Sequence, residues 1–304
     1  MPTDVKTFRH DFARSILASP EALRGVLLCL LVAASSGCGG LGFLPGGGDG
    51  HDGARVDGAK SEATGDAIST TRAKMRLAPT EPYWPFHLGE LQVASDSTAA
   101  AVGSLNASLA LDPSYAPAVS LLSKIYYDEK LHSEAIGLLE TFLSRNPTAP
   151  DKLRAALALH YETVGEIEKA NAVLAGCAGD ARDAHGARVM VSLRGESPQT
   201  VLEIAKRALD ADDRSAANHN NYGIALLYTG RPVEAREAFR AALELNQKLP
   251  GALYNMAIVE TFYFFDEAAG REWFARYKRF ASEDPDNLAA RFDADVSRTG
   301  TAPN

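Results

Sequence analysis

The side chains of this chain that could do chemistry are few and widely separated. His87, His132, His160, His185 and His219 are spread over its main body. None has the H-E-x-x-H spacing that sets two imidazoles and a general base on one helix face. Cys177 is a single thiol in that body, too few for a disulfide framework or a zinc cluster. It occupies an apolar helical position and reads as a small core residue rather than a nucleophile. Asp112, Asp151, Glu283, Asp284 and Asp286 fall at predicted turns, where carboxylates cap helices. His51-Asp52 stands in a Gly-rich stretch and reads as solvated linker. Gly37-Cys-Gly-Gly-Leu-Gly42 matches the dinucleotide fingerprint in letters, but Pro45 and three glycines follow it where the fingerprint needs a helix. The chain is therefore expected to be no enzyme and to hold neither cofactor nor metal. What does recur at a fixed interval is an amide: Asn221 and Asn255 are 34 residues apart, each with a donor and an acceptor.

The elements that position those amides share the interval. Ala101 and Ala135 are 34 residues apart, as are Ala235 and Ala269, and Pro113 and Pro147. A period of this size marks stacked supersecondary units, each burying its apolar face against its neighbours. The composition is rich in Ala and Leu, which favours helices. A net charge of −8 excludes general nucleic-acid binding, since neutralising phosphates needs a basic face.

From about Pro82 to about Val296 the pattern resembles the tetratricopeptide repeat family, whose unit is two antiparallel helices. Starting at Pro82, Gly89 and Ala101 take the small positions, Leu88 and Leu105 the large ones, and Pro113 closes the unit. A unit from Ala116 has Leu122, Tyr126, Ala135, Leu139, Phe142 and Pro147. After a one-residue slip, a unit from Asp151 has Leu157, Ala158, Tyr161, Ala170, Leu174 and Cys177. Units from Ala216 (Tyr222, Gly223, Leu226, Ala235, Phe239, Ala242) and Pro250 (Met256, Ala257, Ala269, Trp273) follow. Between them, residues 178–213 form a degenerate repeat, with a short helix at His185–Arg194 and another at Pro198–Ala211. Residues from about Pro285 to Val296 read as a capping helix. The resemblance implies an all-α, right-handed α-solenoid of about five to six helix-turn-helix repeats. Where the period breaks, near 178–200, the stack is expected to bend or loosen.

The N-terminus reads as an export signal of the lipoprotein type, residues 1–37. Arg24 precedes the apolar run Gly25–Ala34, which is too short to span a bilayer. Ser35-Ser-Gly-Cys38 resembles the lipobox of bacterial lipoproteins, with Ser35 in place of the usual Leu. That resemblance implies lipidation of Cys38; the alternative is plain secretion to the periplasm. Residues 38–81 read as a flexible Gly-rich tether and 297–304 as a disordered tail. Gly39 suits outer-membrane sorting in a two-membrane bacterium.

In this family the first helix of each repeat lines a concave face that holds a protein or an extended peptide. Carried over residue by residue, the groove is offered by Lys124 and Tyr127 in the second repeat, Asn220, Asn221 and Tyr228 in the fifth, and Tyr254, Asn255 and Phe262 in the sixth. Stacked Asn221 and Asn255 would grip a peptide backbone; the alternative is that asparagine is simply common at that position. The last repeat is also crowded with aromatics, Phe262-Tyr-Phe-Phe265, Trp273-Phe274, Tyr277 and Phe280. Four in a row cannot all face inward, so at least one is expected on the surface. Trp84 is expected to cover the open end of the first repeat. The leading reading is an envelope scaffold, anchored by lipid, possessing a peptide groove and no nucleic-acid site, its oligomeric state open. The alternatives are a self-associating structural protein and an accessory subunit of an envelope enzyme.

Overall fold

The computed structural model describes residues 57–179, 181–281 and 284–292. The described residues are all helix and turn, and the helices follow one another in pairs. They divide into two compact units between Ala187 and Arg188, a point inside the stretch where the period breaks. The predicted signal, Cys38 and the tail lie outside the described residues.

In the N-terminal unit the helices are α1 (Asp57–Leu77), α2 (Tyr83–Ala94), α3 (Thr98–Leu111), α4 (Ala116–Asp128), α5 (His132–Arg145), α6 (Asp151–Thr163) and α7 (Ile167–Ala175). Helix α8 (Arg182–Gly195) carries the unit boundary. The C-terminal unit continues with α9 (Pro198–Ala211), α10 (Ala216–Tyr228), α11 (Pro232–Leu245), α12 (Pro250–Ile258), a π-helical turn (Val259–Tyr263) and α13 (Glu267–Tyr277). The helices α2 to α7 and α10 to α13 match the predicted repeats, and α8 and α9 supply the degenerate one.

Helix α1 departs from expectation, because its 21 residues lie within the segment read as a flexible tether. Its sequence has no strong apolar stripe, so nothing in its periodicity announces burial. After Gly65, however, it has neither Gly nor Pro until Pro79, and its Ala, Met, Lys and Arg residues favour helix. It packs on α2, and Thr71 is buried.

Every repeat except the degenerate one of α8 and α9 turns between its two helices in one way. A residue with positive φ ends the first helix: Asp96, Lys130, Gly165, Gly230 or Phe265. The next residue donates its N–H five places back, Leu131 to Tyr126 O (2.7 Å) and Arg231 to Leu226 O (2.9 Å), the bond that closes a left-handed helix end. Its own carbonyl then accepts from a small residue four places on, as Ser97 does from Ala101 and Arg231 from Ala235. That small residue is where the paired helices cross. Gly223 serves the same approach from the other side, since a Cβ there would stand 2.5 Å from the Phe239 ring.

The sixth repeat keeps this turn with one residue more. Asp266 N–H bonds to Glu260 O at 2.8 Å, six places back, and the extra residue is held in the π-helical turn. Helix α13 is therefore advanced by one. Gly270 takes the crossing position predicted for Ala269, donating to Asp266 O at 2.9 Å. Phe274 is buried in place of Trp273, which packs at the margin of the core. Leu288 and Phe292 close the C-terminal unit, both buried, as the predicted cap requires.

Candidate functional site

An amide pair joins α12 to α10, but its members are Asn255 and Asn220, and they bond to each other. Asn255 Nδ2 donates to Asn220 Oδ1 at 2.9 Å, from α12 to α10, and Asn221 stands beside this bond rather than in it. Asn255 is 1 % exposed and Asn220 6 %. Tyr228 is buried, and Tyr254 is fully enclosed, its ring edge-on to Tyr277. The Tyr254 hydroxyl lies 3.0 Å from Asp286 Oδ2 and 3.3 Å from Asp284 Oδ1, and accepts the Asp286 N–H. Burial first, and then the nearby carboxylates, hold its pKa far above the ordinary tyrosine value.

Four residues read as an open groove, Asn220, Asn255, Tyr228 and Tyr254, are thus interior. Amides buried this deeply need partners inside the protein, and here each supplies the other. Asn221 and Phe262 keep partial exposure, with the Arg291 guanidinium 4.9 Å above the Phe262 ring. Asn218, two residues from the pair, is also structural: its Nδ2 donates to Ala208 O (2.9 Å) and Asp212 O (3.1 Å), tying α10 to α9.

In the second repeat, Lys124 pairs with Asp128 at 2.8 Å along α4. Tyr127 is half-buried with its ring edge-on to both His132 (5.4 Å) and His160 (5.5 Å). Those two histidines, 28 residues apart, were read as scattered. They meet with Nδ1 atoms 3.1 Å apart, and Ser123 Oγ lies 3.1 Å from His160 Nε2. One Nδ1 must donate and the other accept, so the two rings cannot both be protonated. Burial and the neighbouring His132 depress the His160 pKa to about 4; burial and Lys130 lower that of His132. A serine against a histidine suggests nucleophilic catalysis, but Ser123 is 2 % and His160 1 % exposed, so no substrate reaches them.

The carboxylates at turns do what caps do. Asp112 accepts from Ser114 N–H (2.8 Å) and hydroxyl (2.6 Å), which lowers its pKa. Asp151 receives Arg154 and the Ala178 N–H. Asp284 receives the N–H groups of Leu288 and Ala289, both at 2.8 Å, while Glu283 lies outside the described residues. Among the described residues, no three His, Cys, Asp or Glu side chains converge as metal ligands. Cys177 is buried.

The accessible part of the last repeat is aromatic. Phe265 is half-exposed and has φ of +56°, so one of the four consecutive aromatics does face outward. Its neighbour Phe264 lies under Arg236, 3.8 Å from guanidinium to ring centroid. Arg236 also reaches the buried Glu260 at 3.5 Å. At the start of the chain's repeats, Trp84 is half-buried and edge-on to the exposed Tyr83.

Residues 216–249 match the tetratricopeptide repeat family, a segment that contains α10, its turn and α11. No curated protein matches the sequence. Among solved structures, a tetratricopeptide repeat protein from Parabacteroides merdae is similar, with a TM-score of 0.64 and 12 % identity over 78 % of this chain and 94 % of that one. The anaphase-promoting complex hetero-tetramer Cut9–Hcn1 gives 0.60 and 16 % over 77 % and 46 %. The human IFIT1 dimer with PPP-AAAA gives 0.54 and 15 % over 64 % and 49 %, so the chain spans about half the length of these last two. At such identities the likeness is one of fold: helix-turn-helix repeats of the tetratricopeptide type, stacked in series.

Proposed function

We propose that this chain is a non-catalytic protein-binding scaffold of the bacterial cell envelope, tethered by a lipid on Cys38 and engaging its partner at the last repeat. The observation that carries the partner site is Phe265. A left-handed conformation costs an ordinary residue roughly 1–2 kcal/mol, and the other turns use Gly165, Gly230, Asp96 and Lys130 there. Placing a phenylalanine in that position while leaving half its surface in water is unfavourable twice over. Strain kept at an exposed apolar side chain is a mark of a contact site, and a partner covering the ring offsets both costs. Phe262 and Asn221, still accessible, are the predicted groove residues that serve the same partner. Burial of Asn220, Asn255, Tyr228 and Tyr254 assigns those four to holding α10, α12 and the cap in place.

The envelope assignment rests on the signal-like run at 25–34 and on Cys38 after small residues. Assembly of envelope structures is the role it suggests. Recovery of cross-linked partners from membranes, compared between the natural chain, Phe265→Gly and Asn221→Ala, tests the site. Phe265→Gly is expected to lose the partner while folding at least as well as the parent; undiminished recovery would remove the site. Mass spectrometry tests the anchor, since Cys38→Ser must abolish a diacylglyceryl-sized increment and membrane retention.

A further inference from the structure

A second surface, independent of Phe265, lies on the outer side of α13. On each of the other second helices of the C-terminal unit, one exposed cation pairs with a carboxylate one turn away. Lys206 pairs with Asp210 at 2.9 Å on α9, and Arg240 with Glu237 at 2.9 Å on α11. On α13, Arg276 is placed differently. Glu272 stands four residues before Arg276, the spacing and order that favour an ion pair. Arg276 instead lies over the indole of Trp273, 4.3 Å from guanidinium to ring centroid. Neither Arg276 nor Arg279 has an ion pair among the described residues. Trp273 and Arg276 stand three residues apart on α13, and Phe280, in the turn that follows the helix, is 40 % exposed.

We infer that the C-terminal end of α13 and the turn after it bind an acidic peptide segment of a partner protein. The contact with Trp273 restricts Arg276, and its guanidinium N–H groups can take a carboxylate in two-point fashion. Arg279 supplies a second positive charge one turn on, and Trp273 and Phe280 supply apolar contact for side chains between the carboxylates. Arg276 and Arg279 outweigh the neighbouring Glu272, a local positive excess in a chain whose net charge is −8, so this end attracts an acidic ligand that the rest of the surface repels. A lipid headgroup would meet the same charges. Yet the larger apolar groups of α13, Phe274 and Tyr277, are buried in the core, which leaves too little apolar surface to enter a bilayer.

The chain has two tryptophans, Trp84 and Trp273, so Trp84→Phe makes Trp273 the reporter in the otherwise intact protein. Titration with a short blocked peptide alternating glutamate and leucine is expected to give a saturable change in Trp273 emission. Binding should weaken roughly tenfold as salt rises from about 0.05 M to about 0.5 M, and again about tenfold in Arg276→Gln/Arg279→Gln. A peptide alternating lysine and leucine should leave the emission unchanged. The proposal is overturned by an unresponsive Trp273, by equal response to both peptides, or by salt-independent binding. It is also overturned if vesicles of phosphatidylglycerol shift the emission and the glutamate peptide does not. Because Phe265→Gly leaves these residues in place, it is expected to bind the peptide normally even where it has lost its cross-linked partner.

Discussion

Acid should loosen the N-terminal unit through one imidazole. His160 is neutral and enclosed, with Ser123 on one nitrogen, His132 on the other and Tyr127 edge-on. Its folded pKa of about 4 lies below the unfolded reference of 6.5, so the unfolded chain binds a proton that the folded one refuses. The resulting stability is fully present above the unfolded value and is lost as pH falls from 6.5 towards 4. Linkage makes the loss about 2 kcal/mol between pH 7.5 and pH 5, rising to about 3 kcal/mol below pH 4. His132, also depressed, acts in the same direction. The measurement is urea unfolding followed by Trp84 emission in a Trp273→Phe background, at pH 7.5 and pH 5, for the parent and His160→Gln. The variant should be weaker by about 1–2 kcal/mol at pH 7.5, having lost a buried hydrogen bond, yet nearly level with the parent at pH 5. All carboxylates titrate alike in the two proteins and cancel in the difference. Parallel loss of stability in both would refute the reasoning, because it would mean that His160 takes up its proton as readily folded as unfolded.

Other substitutions test the packing. Phe265→Gly should raise unfolding free energy by roughly 0.5–1 kcal/mol, the relief at a left-handed position less the cost of a freer unfolded chain; chemical denaturation measures it. Gly223→Ala should destabilise by roughly 1–3 kcal/mol, because the added methyl meets the Phe239 ring and the core cannot shift freely. Gly103→Ala on α3, where a Cβ would meet nothing within 4 Å, should instead stabilise by roughly 0.5–1 kcal/mol. Tyr254→Phe should cost about 1–2 kcal/mol and speed hydrogen exchange at Leu288 and Ala289, whose amides are capped by the Asp284 it touches.

Most of the helix pairing was legible because the crossing residues are small and fall at one place in the turn. Ala101, Ala135, Ala170 and Ala235 each follow a left-handed residue by five, so the backbone rule and the sequence period coincide. In the sixth repeat they part. Ala269 keeps the interval from Ala235, but Gly270 occupies the crossing, and nothing in the pattern marks the inserted residue. Helix α1 was missed for another reason: its burial comes from α2, while its own sequence is polar. The histidine contact was missed because 28 residues is no multiple of the period; it joins the start of one helix to the late part of the next. The amide pair was half-legible. Periodicity aligned Asn255 with Asn221, whereas the side chains that meet belong to neighbouring positions on α10 and α12, and their depth depends on packing that no spacing reports.

The single residue taken up at Val259–Tyr263 works as a change of phase. One added residue turns everything after it by about 100° around the helix axis, so α13 shows a different set of side chains on each side than the repeat pattern assigns. Deleting one residue there would turn Trp273 and Arg276 inward and push Phe274 and Tyr277 towards water, leaving the composition of the helix unaltered. An indel that alignments would score as trivial therefore decides whether this end of the protein presents a cationic aromatic stripe or a bare apolar one. A lineage could gain or lose that surface in one step without substituting any of the residues that form it.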